Sequence, residues 1–252
     1  MGTFIITVNI VLLIVFVLFA LNGAFLSFIT LVNYRRKNTP LSVYSDDKLP
    51  KVTVQIAVYN EVYVIRRAID SVCQLDYPRD KLEVQVVDDS TDETVNDINK
   101  CISYWQKQGI DIKMFHRTNR QEFKAGALRE ALAQAKGDFI SVFDADFVPS
   151  KDFLRNHIHY FTDPNVGFVQ SIWKHLNEHQ SLLHRLQALY LDGYLGVEYF
   201  ARYKLKCFFA FTGTAGTWRR KALEDSGNWQ GDTLMECLDM SYIHLDGASY
   251  SS

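Results

Sequence analysis

The chain has 252 residues, of which 48% are hydrophobic, enough for one soluble α/β domain with a membrane segment. Its formal net charge of −2 gives no overall basic field, so nucleic acid is not an expected partner. Glycine and proline are not enriched, which excludes collagen-like and disordered chains. The four cysteines form no C-x-x-C pair, and this spacing favours reduced thiols over a disulfide framework or zinc site.

The first predicted element is an apolar helix. No charged residue occurs from Phe4 to Val32, and about 20 apolar residues suffice to cross the hydrocarbon core of a bilayer. A cleaved signal peptide is the alternative, but it requires a basic start and a shorter apolar core. Tyr34 and three cations at 35–37 follow, and the positive-inside rule places this end in the cytosol. We therefore expect a single-pass transmembrane helix over residues 4–33.

The rest of the chain has an alternating pattern. Residues 34–51 are interpreted as a basic flank and linker, since Pro40 and Pro50 interrupt any periodicity. Beyond them the predicted strands are Val52–Val58, Leu82–Val87, Ile110–His116, Phe139–Phe143 and Gly167–Ile172. The predicted helices are Val62–Cys73, Glu93–Gln106, Lys124–Ala135 and Lys151–Phe161. This alternation is typical of βαβ units and predicts a doubly wound, mostly parallel sheet with flanking helices.

Four carboxylates follow two of the predicted strands. Asp88 and Asp89 come after the second strand, and Asp144 and Asp146 come after the fourth. Because ligands bind beyond the carboxyl ends of parallel strands, these side chains are candidates for a site. Like charges gathered at one edge repel unless a cation or ligand compensates, although Asp residues also cap helices and form turns. The Asp144-x-Asp146 spacing suits Mg²⁺ or Mn²⁺, with phosphate oxygens and waters as the remaining ligands.

Six sequence blocks occur in an order that resembles a known family. They read V-Y-N-E from Val58, V-D-D-S-T-D from Val87, K-A-G-A-L from Lys124, F-D-A-D from Phe143, F-T-G-T-A-G-T-W-R-R from Phe211 and Q-G-D-T-L from Gln230. Their order is similar to that of family 2 glycosyltransferases with the GT-A fold, especially membrane-bound β-glycan synthases such as cellulose and mannan synthases. The resemblance covers residues 51–242. It implies a GT-A, Rossmann-like domain at 52–242 that uses a divalent cation.

The resemblance also implies a role for each block. The implied donor-binding residues are Tyr59 and Glu61 at the nucleobase, Asp88 and Asp89 at the nucleotide, and Lys124 at the base or phosphate. Asp144 and Asp146 would hold the ribose and the metal. The implied acceptor-side residues are Gly213, Thr214 and Trp218. An aromatic face suits a base or a sugar ring, and a lysine suits a diphosphate, so the residue chemistry agrees with these roles.

The sequence departs from the family in two places. The family's T-E-D motif, whose Asp is the general base, reads Met235-Glu236-Cys237 here. Glu236 and Cys237 are therefore the candidate catalytic residues, although a thiolate is rarely used to activate a sugar hydroxyl. The family's later Q-x-x-R-W block and further membrane helices are not found in this sequence. Residues 243–252 are expected to form a short tail, truncated relative to the family.

The expected function is inverting transfer of a hexose from a nucleotide diphosphate sugar, UDP- or GDP-linked, to a glycan hydroxyl. The catalytic domain would face the cytosol, anchored in the lipid bilayer. Two alternatives stay open: a lipid-acceptor glycosyltransferase of the same fold, and a catalytically impaired nucleotide-sugar-binding fragment. The stretch Leu182–Phe200 is dense in Leu and Tyr, and it is interpreted either as an interfacial helix or as a helix packed on the sheet.

Overall fold

The computed structural model describes residues 2–35, 38–208, 210–231, 237, 241 and 248–251. The chain forms two compact units. One combines Met1–Lys37 with Ile172–Phe209, and the other combines Asn38–Ser171 with Ala210–Ser252. The domain expected at 52–242 is therefore interrupted by a segment that belongs with the N-terminal helix.

The first unit is helical. Helix α1 spans Gly2–Asn33, and among the described residues it is the one helix long and apolar enough to cross a membrane. Helix α6 at Leu182–Gly193 continues through a π-helical turn at Tyr194–Tyr199 into α7 at Phe200–Lys204. The Thr30 hydroxyl in α1 donates to the Val197 carbonyl at 3.1 Å. The segment Leu182–Phe200, interpreted above as an interfacial helix or as a helix packed on the sheet, belongs to the unit of α1.

The second unit contains the sheet. Its strands are β1 Val52–Val58, β2 Leu82–Asp88, β3 Asp111–His116, β4 Phe139–Asp144, β5 Phe168–Ser171, β6 Gly216–Arg219 and β7 Ala248–Ser251. In the described part of the chain they form one sheet in the order β3-β2-β1-β4-β6-β5-β7. All neighbouring pairs are parallel except β4 with β6 and β5 with β6. The prediction of a mostly parallel α/β sheet is confirmed, whereas β6 and β7 were not anticipated.

Among the residues that the structure describes in this unit, five α-helices accompany the sheet. They are α2 Ile65–Cys73, α3 Thr94–Lys107, α4 Phe123–Leu132, α5 Phe153–Ile158 and α8 Arg220–Asp225. Every residue of β2 is buried. Because successive side chains of a strand point to opposite faces, this burial shows that both faces of the sheet are covered there. Polar side chains alternate with apolar ones in β2, and its β-branched valines, not a continuous apolar run, are what marked it as a strand in the sequence.

The register of the central strands places the candidate site. Val58 at the end of β1 pairs with Asp88 at the end of β2, and Ala57 pairs with Asp144 at the end of β4. The chain therefore leaves three neighbouring strands at the same edge of the sheet. The residues that follow those strands meet there, as the strand-end rule predicts.

Candidate active site

A cleft of about 370 Å³ opens at this edge of the sheet. An aromatic ring, four carboxylates and two cations are among the side chains that line it: Tyr59, Glu61, Asp89, Asp144, Asp146, Arg120 and Lys124. They come from segments that lie far apart in the sequence. The structure therefore brings together most of the residues that the sequence predicted for donor binding.

A tight turn fixes Tyr59 at the rim of the cleft. Asn60 adopts a left-handed conformation with φ of 55°, which Asn tolerates better than most residues. Its backbone N–H donates to the Ser90 hydroxyl at 2.8 Å, and its side-chain oxygen accepts from the Thr91 N–H at 2.9 Å. The ring of Tyr59 remains 40% exposed. The turn thus holds an aromatic ring at the rim of the cleft.

The two aspartates after β2 have different surroundings. Asp88 is fully buried, where one carboxylate oxygen lies 2.7 Å from Nδ1 of His116 and the other accepts from the Ser90 N–H at 3.1 Å. Asp89 lines the cleft. We therefore correct the expectation that both residues contact a nucleotide, because Asp88 has no exposed surface and instead organises the loop that carries Asp89.

Asp89 is held by Arg117, a residue that sequence reasoning missed. The guanidinium donates to both carboxylate oxygens, at 2.8 and 2.7 Å, and to Glu130 at 3.0 Å. The hydrogen bond to Asp89 is the main cause that raises the pKa of Arg117. Arg117 directly follows β3. The strand-end rule, applied to β3 as it was to the other strands, would have identified Arg117 from the sequence.

Gly126 in the K-A-G block is explained by close packing beside this arginine. A Cβ atom at this position would overlap the Gln121 carbonyl oxygen and would lie 3.0 Å from Nη1 of Arg117. Arg117 itself donates to the Gln121 carbonyl at 3.2 Å. The glycine therefore allows the first turn of α4 to approach the loop that supports Asp89.

Lys124 joins two of the sequence blocks. Its ammonium lies 2.5 Å from Oδ1 of Asp144 and donates to the Gly213 carbonyl at 2.9 Å. Gly213 has φ of +83°, a conformation that favours glycine. The Asp144 N–H donates to the Thr214 hydroxyl at 3.1 Å, and Thr214 is buried. Gly213 and Thr214, expected on the acceptor side, therefore also position Asp144 and its lysine.

The carboxylates of the cleft repel each other. Partial burial is the main cause that raises the pKa of Glu61, and the negative charges of Asp146 and Asp144 raise it further. Within the described ranges no group of three or more His, Cys, Asp or Glu side chains could hold a metal ion alone. Asp144 and Asp146 supply two oxygen ligands, so a hard divalent cation would need further oxygens from a bound ligand or from water. The excess of negative charge fits such a cation.

Trp218 requires a correction. Its indole is fully buried in β6, stacked on Phe168 with ring centroids 4.6 Å apart and edge-on to Phe211 at 5.5 Å. It supports the sheet and offers no surface to a sugar ring. Cys237 is buried, with its sulfur 3.5 Å from the point where a Cβ on Gly213 would lie. Glu236 lies outside the described residues.

Comparisons with known proteins agree with this geometry. Residues 53–227 match the family model of glycosyl transferase family 2. A probable glucomannan 4-beta-mannosyltransferase 1 of Arabidopsis thaliana is 40% identical over 200 residues, which are 77% of this chain and 36% of that protein. The glucomannan 4-beta-mannosyltransferase 1 of Cyamopsis tetragonoloba is 39% identical over 199 residues, which are 77% and 38%. The chain thus spans little more than a third of the curated relatives it matches.

A solved structure shares the architecture. The mannosyltransferase PcManGT from Pyrobaculum calidifontis, in complex with GDP-Man and Mn²⁺, superposes with a TM-score of 0.67 at 28% identity. The match covers 93% of this chain and 64% of that one. The resemblance that the six blocks indicated is therefore confirmed by sequence and by fold. The chain belongs to glycosyl transferase family 2 and has its GT-A fold.

Proposed function

We propose that the cleft binds a nucleotide diphosphate sugar with Mn²⁺ or Mg²⁺ and that the chain serves hexosyl transfer to a glycan hydroxyl. The observation that carries the proposal is the convergence of Tyr59, Lys124, Asp144 and Asp146 in one cleft. Two relatives are named glucomannan mannosyltransferases, and the structural neighbour contains GDP-Man and Mn²⁺. These names favour a mannosyl donor, with GDP-mannose as the first compound to test.

The charges of the cleft support an order of events on donor binding. Lys124 is paired with Asp144 in this structure. A divalent cation at Asp144 and Asp146 would compete with that ammonium for the same carboxylate. The displaced Lys124 would then pair with the diphosphate, which needs positive charge in a cleft rich in carboxylates. When bound, the cation supplies electrostatic stabilisation of the charge that develops on the leaving diphosphate.

The transfer step needs a proton acceptor. The acceptor hydroxyl oxygen forms a bond to the anomeric carbon, the bond from that carbon to the diphosphate oxygen breaks, and the diphosphate leaves with the electron pair. The hydroxyl proton passes to a base. Cys237 stands at the expected base position and is buried, so we propose that this chain transfers sugar slowly while it binds donor normally.

We also propose that α1 anchors the chain in a lipid bilayer with the cleft on the cytosolic side. Its length and composition and the cations that follow it support this orientation. A reporter fused after Ser252 should be accessible to protease outside inverted vesicles and protected inside right-side-out vesicles made from intact cells. Digestion of the reporter in sealed right-side-out vesicles would contradict the orientation.

Donor binding can be tested by thermal shift on the detergent-solubilised chain, because a ligand that binds the native state stabilises it. GDP-mannose with Mn²⁺ should raise the melting temperature more than either component alone. Asp146→Asn should remove the part of the shift that depends on Mn²⁺. Asp97→Asn, an exposed helix aspartate paired with Lys100, is the matched control and should keep the full shift. An unchanged Mn²⁺-dependent shift in Asp146→Asn would refute the metal assignment, and no shift with any GDP- or UDP-sugar would refute the function.

A further inference from the structure

Arg120 covers the exposed ring at the rim of the cleft. Its guanidinium carbon lies 3.3 Å from the centroid of the Tyr59 ring and 5.1 Å from that of Phe123. This is the distance of direct stacking, so the guanidinium takes the place in which a planar base would stack on the tyrosine. In this structure a nucleobase and Arg120 therefore compete for the same face of Tyr59.

The cations around the cleft differ in their ion-pair partners. Lys124 is paired with Asp144, and Arg117 is paired with Asp89 and Glu130. Arg120 makes no ion pair within the part of the chain that the structure describes, and its side chain is exposed. It is thus a positive charge that can move to an incoming anion without breaking an ion pair.

The backbone around Arg120 is strained between two fixed points. Arg120, Glu122 and Phe123 have φ of 27°, 57° and 46°, in the region that non-glycine residues rarely adopt. Arg117 is anchored on Asp89 before this segment, and Glu122 accepts from Arg129 at 2.8 Å within it. A change of position is therefore limited to Arg120 and its immediate neighbours.

We propose that Arg120 is a donor-binding residue whose guanidinium leaves the ring of Tyr59 and pairs with the donor's diphosphate when a nucleotide binds. The proposal rests on the proposed function, since it needs a nucleotide in the cleft. The base takes the face of Tyr59, and the released guanidinium pairs with phosphate oxygens, for which its planar fork is suited. Four carboxylates line the cleft against two cations, of which Arg120 is one, so the diphosphate needs the charge of Arg120.

Loss of Arg120 should change the affinities for a nucleoside and for a nucleoside diphosphate in opposite directions. Loss of the arginine frees Tyr59, which helps a nucleoside without phosphates. The same loss removes a phosphate partner, which harms a nucleoside diphosphate. A residue that only stacked on the bound base, or only stabilised the loop, would shift both affinities in the same direction.

The test is calorimetric titration of the detergent-solubilised full chain with GDP plus Mn²⁺ and with guanosine, or with UDP and uridine if the wild type prefers them. Arg120→Ala should bind the nucleoside about two- to fivefold more tightly, as expected for loss of an exposed cation–π contact. It should bind the diphosphate about tenfold more weakly, because the loss of charged hydrogen bonds to phosphate outweighs the gain at the base. Arg120→Lys keeps the charge and should lose less than about threefold for the diphosphate. Arg66→Ala, on an exposed face of α2, is the control and should match the wild type in both titrations.

Weaker nucleoside binding by Arg120→Ala would overturn the exchange, because it would show that the guanidinium stacks on the bound base. Unchanged diphosphate binding by that variant would overturn it as well. In both cases the wild type still binds the diphosphate, and the proposed function stands. A wild type that binds no nucleoside diphosphate with Mn²⁺ would refute the proposed function, and this inference with it.

Discussion

His157 should make the stability of the sheet unit depend on pH. The imidazole is fully enclosed, and its two nitrogens lie 2.9 Å from the Thr217 hydroxyl and 2.6 Å from the Ser171 hydroxyl. It thereby joins α5 to β6 and β5. Burial lowers the pKa of His157 from 6.5 to about 3, so the ring is neutral in the folded state at physiological pH.

The sign and size of the effect follow from linkage. The folded pKa lies below the unfolded one, so the stabilising contribution is complete above pH 6.5 and is lost as the pH falls towards 3. Each pH unit below 6.5 costs up to about 1.4 kcal/mol, because the unfolded chain binds a proton that the folded chain does not. At pH 5 the free energy of unfolding should therefore be about 2 kcal/mol lower than at pH 7 through His157 alone.

The assay is urea unfolding of the detergent-solubilised chain, followed by the fluorescence of the buried Trp218 and Trp229 at pH 7 and pH 5. His157→Gln keeps a polar side chain between the two hydroxyls but does not titrate. It should be less stable than the wild type at pH 7 and should lose about 2 kcal/mol less than the wild type on going to pH 5. His179→Gln, an exposed histidine, should keep the wild-type pH dependence. Equal pH dependence in His157→Gln and the wild type would show that the buried ring titrates normally and would refute the reasoning.

Three further substitutions test the site. Cys237→Asp should raise mannosyl transfer or donor hydrolysis by on the order of 10²-fold without a change in GDP affinity, and an unchanged rate in a product-release assay would move the base to another residue. Glu61→Gln should be more stable than the wild type at pH 7 by less than about 1 kcal/mol and equal to it below pH 4.5. The reason is that a raised carboxyl pKa lowers the free energy of unfolding only as the group ionises. An equal gain at both pH values in urea unfolding would contradict this. Gly126→Ala should lower the free energy of unfolding by about 1–3 kcal/mol through overlap with Gln121, whereas Gly196→Ala, which meets no neighbour, should not destabilise through overlap.

The sequence located the strands that are buried on both faces and failed where a strand is short. β1, β2 and β4 have six or seven residues and are rich in β-branched or aromatic side chains, and their predicted bounds agree with the structure to within one residue. β6 has four residues, Gly216–Arg219, and too few alternations for a period of two to appear. Its place is fixed by antiparallel pairing with β4 and β5, which are distant in sequence. Local pattern carries no information about such pairing.

For the candidate site, the sequence located the correct edge of the sheet but not which side chains face the cleft. The strand-end rule placed Asp88 and Asp89 at the correct edge, but successive side chains of an extended chain point to opposite sides. Only one of them can face the cleft, and the choice depends on what lies on each side. Nδ1 of His116 contacts the Asp88 carboxylate, and the Arg117 guanidinium forms an ion pair with Asp89. Both partners come from the end of β3, so the distinction required the sheet order and not the local sequence.

If the cleft binds a cation and a donor as proposed, the pairing of Lys124 with Asp144 should make the two binding events depend on each other. A cation alone would displace the ammonium from Asp144 and leave Lys124 with the Gly213 carbonyl as its one acceptor among the described residues, so the affinity of the cation should be low. A diphosphate alone meets four carboxylates in the cleft lining. When both bind, the cation would pair with Asp144 and Asp146 and Lys124 would pair with the diphosphate, so each of these charges would have a partner. Each ligand should therefore raise the affinity of the other by the same factor, as reciprocal linkage requires. This coupling involves none of the residues at the base position, so we expect the presence of Cys237 there to leave donor binding unaffected while it slows transfer.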